Sequence, residues 1–152
     1  MPSIISIKKT LLATYPQFLL LEDKDFFWSP NDKTIAYSPQ DSQAVERLLH
    51  EYSHAILGHV SYARDIELIE HERDAWNHAK TVLAPQLGTE ISAYIVENDL
   101  DTYRDWLHAR SACPHCSSTG LQTSTRGYTC VACRGKWTVN DARICALRRY
   151  KM

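Results

Sequence analysis

His50-Glu51-Tyr52-Ser53-His54-Ala55-Ile56-Leu57-Gly58-His59 is the stretch that decides how this chain is read. Residues four apart on a helix lie one turn apart on the same face. His50 and His54 can therefore both aim an imidazole nitrogen at one zinc ion. Glu51 projects beside them, placed to take a proton from zinc-bound water. Upstream, Ser38-Pro39-Gln40-Asp41 reads as the start of the helix, with a capping serine, a proline at the first position and an acid in the first turn. Gly58 supplies the stop. The core stripe is Val45, Leu49, Tyr52 and Ile56, with Leu48 alongside. Both histidines lie off it, so the helix can pack on its body and still offer ligands to a cleft.

The third ligand is sought downstream. A histidine six residues after His54 would continue one known zinc pattern. Gly58 and His59 stand four and five residues after it, so His59 reads as a helix-end residue. A second helix opens at Asp65 and ends near Pro85. It offers Glu67, Glu70, Glu72 and Asp74. Its apolar stripe is Leu68, Ile69, Ala75, Trp76, Ala79 and Leu83, and Glu72 falls in the middle of it. A carboxylate there is costly unless it is paired or binds a metal. Glu72 is the expected third ligand, with Glu70 and Asp74 facing solvent.

His50 to His59, followed by Glu72-Arg73-Asp74-Ala75, resembles the ImmA/IrrE group of small zinc peptidases. That group is of the gluzincin type, with H-E-x-x-H on one helix and E-x-x-A on the next. The resemblance covers roughly residues 30–85. It implies zinc held by His50, His54 and Glu72, with Glu51 as catalytic base, and action on intracellular proteins, often regulators. One position departs from the type. Trp76 stands where an Asn or Asp often orients a histidine.

The chain has 152 residues, with 44% hydrophobic and 23% charged residues, the balance of a globular protein. Residues 1–110 carry 10 Lys and Arg against 17 Asp and Glu; residues 111–152 carry 7 against the single Asp141. All five cysteines fall after residue 112. Cys113/Cys116 and Cys130/Cys133 form two C-x-x-C knuckles, which favour a structural zinc in a segment too small to bury a core. Strands at Leu121–Ser124, Gly127–Thr129 and Lys136–Thr138 would complete a zinc ribbon. His115 reads as a non-ligand and Cys145 as a free thiol.

The expected architecture is α+β. A minimal zincin-like domain of helices and a small antiparallel sheet spans 1–110, and a zinc ribbon with a basic tail spans 111–152. A helix over Ile4–Tyr15 precedes strands at Phe18–Leu21, Asp25–Trp28 and Thr34–Tyr37, arranged as a meander or hairpin. A third helix runs from Glu90 to about Arg110. The last of the three strands is expected to pair with extended substrate. Tyr37, Tyr62, Tyr94 and Tyr103 are all candidates for oxyanion stabilisation.

The expected function is a cytoplasmic zinc metallopeptidase with one catalytic and one structural zinc, acting on a protein or peptide substrate, with no membrane segment. Arg126, Arg134, Lys136, Arg143, Arg148, Arg149 and Lys151, with Tyr128 and Trp137, are candidates for nucleic-acid contact. Two alternatives stand beside this reading. SprT-like peptidases, which act on DNA-associated proteins, also join H-E-x-x-H to a zinc ribbon, but they take a third histidine. A non-enzymatic nucleic-acid-binding or regulatory zinc protein would have no use for Glu51.

Overall fold

The computed structural model describes residues 1–142 and 147–152, so Arg143 and Cys145 lie outside the described residues. The architecture is α+β. By packing, the chain divides into two compact units, Met1–Val60 with His71–Val96, and Ser61–Glu70 with Glu97–Met152.

The first unit opens with α1 (Ile4–Thr14), capped by the Ser3 side chain on the Ser6 amide, which buries Ile7 and Leu11. Three short strands follow, β1 (Leu19–Glu22), β2 (Phe27–Ser29) and β3 (Thr34–Tyr37). Their order is β1-β3-β2. β2 and β3 form the expected antiparallel hairpin, but β1 pairs in parallel with β3, Leu20 opposite Ile35. The sheet is therefore mixed rather than antiparallel. Ile35, Ala36 and Tyr37 are all buried, which claims the central position for β3. At the end of β1, Asp23 Oδ1 accepts the amides of Lys24 and Asp25, turning the chain away from a direct β1–β2 hairpin.

α2 (Ala44–Ile56) starts later than the serine–proline signal implies. Asp41 Oδ1 accepts the Gln43 amide at 2.7 Å, and the Asp41 amide donates to Ser38 O. The acid closes a turn ahead of the helix instead of sitting inside its first turn. Leu48, Leu49 and Tyr52 are fully buried, whereas Val45 and Ile56 are half-buried. The stop at Gly58 is as expected, with φ +73°.

α3 (Asp65–His78) passes into a widened turn at Ala79–Leu83 and then α4 (Ala84–Gln86), close to the expected end. Of the expected stripe, Ala75, Trp76, Ala79 and Leu83 are buried, whereas Leu68 and Ile69 are half-buried. α5 (Ala93–Ser111) begins three residues after Glu90, where the Ser92 hydroxyl accepts the Ile95 amide as its cap.

In the second unit, β4 (Leu121–Ser124), β5 (Gly127–Thr129), β6 (Lys136–Val139) and β7 (Arg149–Lys151) form a sheet in chain order, each pair antiparallel. β7 was not expected. Cys113, Tyr128, Cys130, Trp137 and Val139 form a small core, with the Tyr128 and Trp137 rings stacked at 5.6 Å. A Cβ on Gly120 would lie 2.3 Å from the Trp137 ring, so only glycine fits there. Beside this core lies a buried polar triad that the sequence did not announce. Arg110 Nε donates to Asp65 Oδ2 at 2.7 Å, the Tyr128 hydroxyl donates to the same oxygen, and the Trp137 indole donates to Arg110 O. Among the described residues, no helix is long and apolar enough to cross a membrane.

Breaking a buried ion pair by removing one partner leaves the other charge uncompensated, at a cost of about 3–5 kcal/mol. Asp65→Ala should therefore shift the denaturant unfolding transition by an amount in that range. Asp65→Asn, which keeps an acceptor for Tyr128, should shift it less.

Candidate metal centres

Among the described residues, two groups of side chains converge closely enough to hold a metal ion: His50, His54 and Glu72, and Cys113, Cys116, Cys130 and Cys133.

The first is built on α2 and the second half of α3. One turn of α2 sets His54 Nε2 3.2 Å from His50 Nε2. Glu72 reaches them with one oxygen each, Oε2 2.8 Å from His50 Nε2 and Oε1 3.3 Å from His54 Nε2. A tetrahedral zinc with bonds of roughly 2.0–2.1 Å would separate its ligand atoms by about 3.3 Å, so the donor spacing suits such an ion. Oε2 is buried against His50 Nε2, so the carboxylate and both imidazoles share one enclosed space. Burial pushes the Glu72 carboxyl up, but the two histidines beside it more than reverse this and hold it well below the usual carboxylate range.

All three side chains are buried rather than presented at an open cleft. The Trp76 ring, one turn after Glu72, stacks on His50 at 4.2 Å and 23°. Trp76 thus packs flat against the His50 ring.

His59 is the residue that sequence reasoning undervalued. The end of α2 is a Schellman motif, in which the Gly58 amide donates to Ala55 O and the His59 amide to His54 O. This motif brings the residue after the glycine back over the last helical turn. Here it sets His59 Nδ1 2.8 Å from His54 Nδ1, so the two rings are hydrogen-bonded through the nitrogens that do not face Glu72. Burial and the neighbouring His54 and His71 lower the His59 pKa to about 4. At neutral pH its ring is therefore uncharged and can accept the His54 Nδ1 proton. His71 stacks on His59 at 4.3 Å and 11°, and the Trp28 indole donates to His59 O. The signal was already in the sequence, since a glycine stop fixes where the next residue goes.

The remaining candidates fall elsewhere. His78 Nδ1 meets the Ser53 hydroxyl at 3.0 Å, while that hydroxyl donates to Leu49 O. Glu70 and Asp74 are exposed, and Glu67 Oε2 accepts the Ala63 amide. Glu51 is half-buried on α2. The Tyr37 hydroxyl donates to Glu22. β3 has a partner on each side, so it cannot pair with a substrate strand as expected. A cavity of about 430 Å³ opens beside the histidines, lined by His59, Asp74, Asn77 and His78.

The second group lies at the base of the β4–β7 sheet. Cys113 Sγ and Cys133 Sγ are 3.6 Å apart, as are Cys116 Sγ and Cys130 Sγ. A disulfide needs about 2.05 Å, so these are free thiols, as far apart as the corners of a thiolate tetrahedron around zinc. Hydrogen bonds from Ser118, then Cys130 and Cys133, lower the Cys116 pKa to about 6. The Gly135 amide pulls Cys133 the other way from its neighbours, but the crowded sulfurs win and push it up to about 12. His115 is exposed and outside the group.

Tyr128 and Trp137, expected as nucleic-acid contacts, are buried in the small core and closed to that role. Comparison with protein-family models, curated proteins and solved structures finds no match to this chain.

Elemental analysis of protein purified without chelators should find two metal ions per chain. His59→Ala should weaken metal at the His50/His54/Glu72 group by about 10–100-fold, the usual cost of losing a partner that orients a ligand. Competition with a chromophoric chelator would measure this. The cysteine-bound ion should keep its affinity in the same titration.

Proposed function

We propose that the chain is a zinc-dependent metallopeptidase of the gluzincin, ImmA/IrrE-like type, hydrolysing peptide bonds in a protein substrate, with a second, structural zinc in its ribbon. The observation that carries this reading is the meeting of His50 Nε2, His54 Nε2 and the Glu72 carboxylate within 2.8–3.3 Å of one another, on a helix where Glu51 follows the first ligand. Zinc at that position would supply Lewis acidity, polarising the scissile carbonyl and acidifying the attacking water. Glu51 accepts the proton from that water and returns it to the departing amine nitrogen. His54 is held in one tautomer by His59, and the stack with Trp76 fixes the plane of His50. Extended substrate would add to the edge strand β2, whose Trp28 reaches the His59 carbonyl.

The positions of the other histidines favour the gluzincin type over a SprT-like site with three histidine ligands. His59 backs His54, His71 stacks on His59, and His78 bonds Ser53. Four unbridged thiols suit a reducing, cytoplasmic compartment.

The zinc-loaded protein and its Glu51→Gln variant, incubated with a whole-cell protein extract, should differ in the new N-termini they generate. The variant should keep its full zinc content and produce none above background. Equal sets of new termini from both proteins would remove Glu51 as the base and the peptidase reading with it.

A further inference from the structure

We propose that the outer face of the β5–β6–β7 ribbon binds single-stranded nucleic acid, stacking a base on Tyr150 between Arg148 and Lys136. This site is independent of the His50/His54/Glu72 centre.

The face follows from register. Trp137 and Val139 of β6 point into the small core, so Lys136 and Thr138 point out. Tyr150 lies opposite Thr138 and shares its side. The pairing runs on past the strand ends, the Asn140 amide bonding Arg148 O and the Met152 amide bonding Lys136 O. Arg148 therefore projects on the same side, two residues before Tyr150, and Lys136 lies one strand across, toward the other end of the ladder. Two residues of strand span about 6.6 Å. One aromatic ring is thus flanked along the strand direction by a cation on each side. Tyr150 is 50% exposed, although its ring is large and apolar.

Charge argues for the class of partner. Asp141 is the one acid in residues 111–152, and it is engaged by Arg126. Arg149 donates to Ala112 O. Arg134, Lys136, Arg148 and Lys151 are all exposed, and no ion pair joins any of them to an acid among the described residues. Among the described residues, no ion pair in the ribbon's own fold uses these four cations. A polyanion with planar, stackable groups matches both features, because base–aromatic stacking is tolerant of sequence and cations track the phosphates. A duplex, with its bases already stacked on each other, would use the cations but not the ring.

The test is fluorescence anisotropy of the full zinc-loaded chain with a labelled oligothymidylate of about 16 nucleotides, titrated at several salt concentrations. Binding should be tighter to the single strand than to a duplex of equal length. Tyr150→Ala should weaken it by about tenfold and Tyr150→Phe by little, since stacking needs the ring and not the hydroxyl. The double variant Lys136→Ala/Arg148→Ala should lower the slope of log affinity against log salt by about 1.4, roughly 0.7 for each phosphate no longer neutralised. All three positions are exposed, and unchanged far-ultraviolet circular dichroism would show that the variants fold. Three results would each overturn the proposal: no binding at low salt, equal affinity for the duplex, or wild-type affinity in Tyr150→Ala. Displacement of the oligonucleotide by polyglutamate at equal charge concentration would also overturn it, and would point to an acidic protein instead.

Discussion

A carboxylate sealed between two helices needs a positive partner, and in the first unit Glu72 imposes that demand. It is only 6% exposed, on the side of α3 that also buries Ala75 and Trp76. Leaving its charge there alone would cost several kcal/mol, on the order of what a domain's whole margin of stability can bear. His50 and His54 offset this cost, holding the carboxyl well below the usual carboxylate range, and a cation held by the three groups would offset it further. The histidines of α2, the stack with Trp76 and the return of His59 over His54 are all arranged around that one buried charge.

The second unit meets a different shortage. The cluster beneath its sheet is five residues, two of them cysteines. So small a cluster cannot offset the conformational entropy of a four-stranded sheet and its loops. Two devices supplement it. The thiols gather where a single ion can tie both knuckles, and the Asp65–Arg110–Tyr128 triad ties the start of α3 and the end of α5 to β5. The triad is fully hydrogen-bonded, which is what makes a buried ion pair tolerable.

What the sequence made legible was local. The H-E-x-x-H helix, the glycine that ends it, the buried glutamate on the next helix and the two knuckles each depend on spacings of two to four residues, which helix and turn geometry fix directly. Three ribbon strands were legible for the same reason. Pairings between distant segments were not. Nothing in Leu19–Glu22 specifies a parallel neighbour fifteen residues on, and β7 is three exposed residues with no apolar alternation to mark it. The start of α2 was misplaced because Asp41 can cap a helix or close a turn, and the two uses look alike in sequence. Tyr128 and Trp137 were read as surface aromatics because basic residues surround them, whereas their burial depends on Gly120, outside their own strands, leaving room for the indole.

The two centres also differ in what they can do. Four thiolates complete a tetrahedron, so an ion there has no position left for a reactant and can only hold structure. Two imidazoles and one carboxylate leave a fourth corner open. On His54 the nitrogen opposite the donor is already engaged by His59, so that ligand cannot turn to fill the opening. The cavity lined by His59, Asp74, Asn77 and His78 lies on the same unit as His50, His54 and Glu72, whereas the cysteine group is backed by its own small core. Donor chemistry thus separates the two groups: a tetrahedral ion held by the first would keep one position open, and one held by the second would keep none.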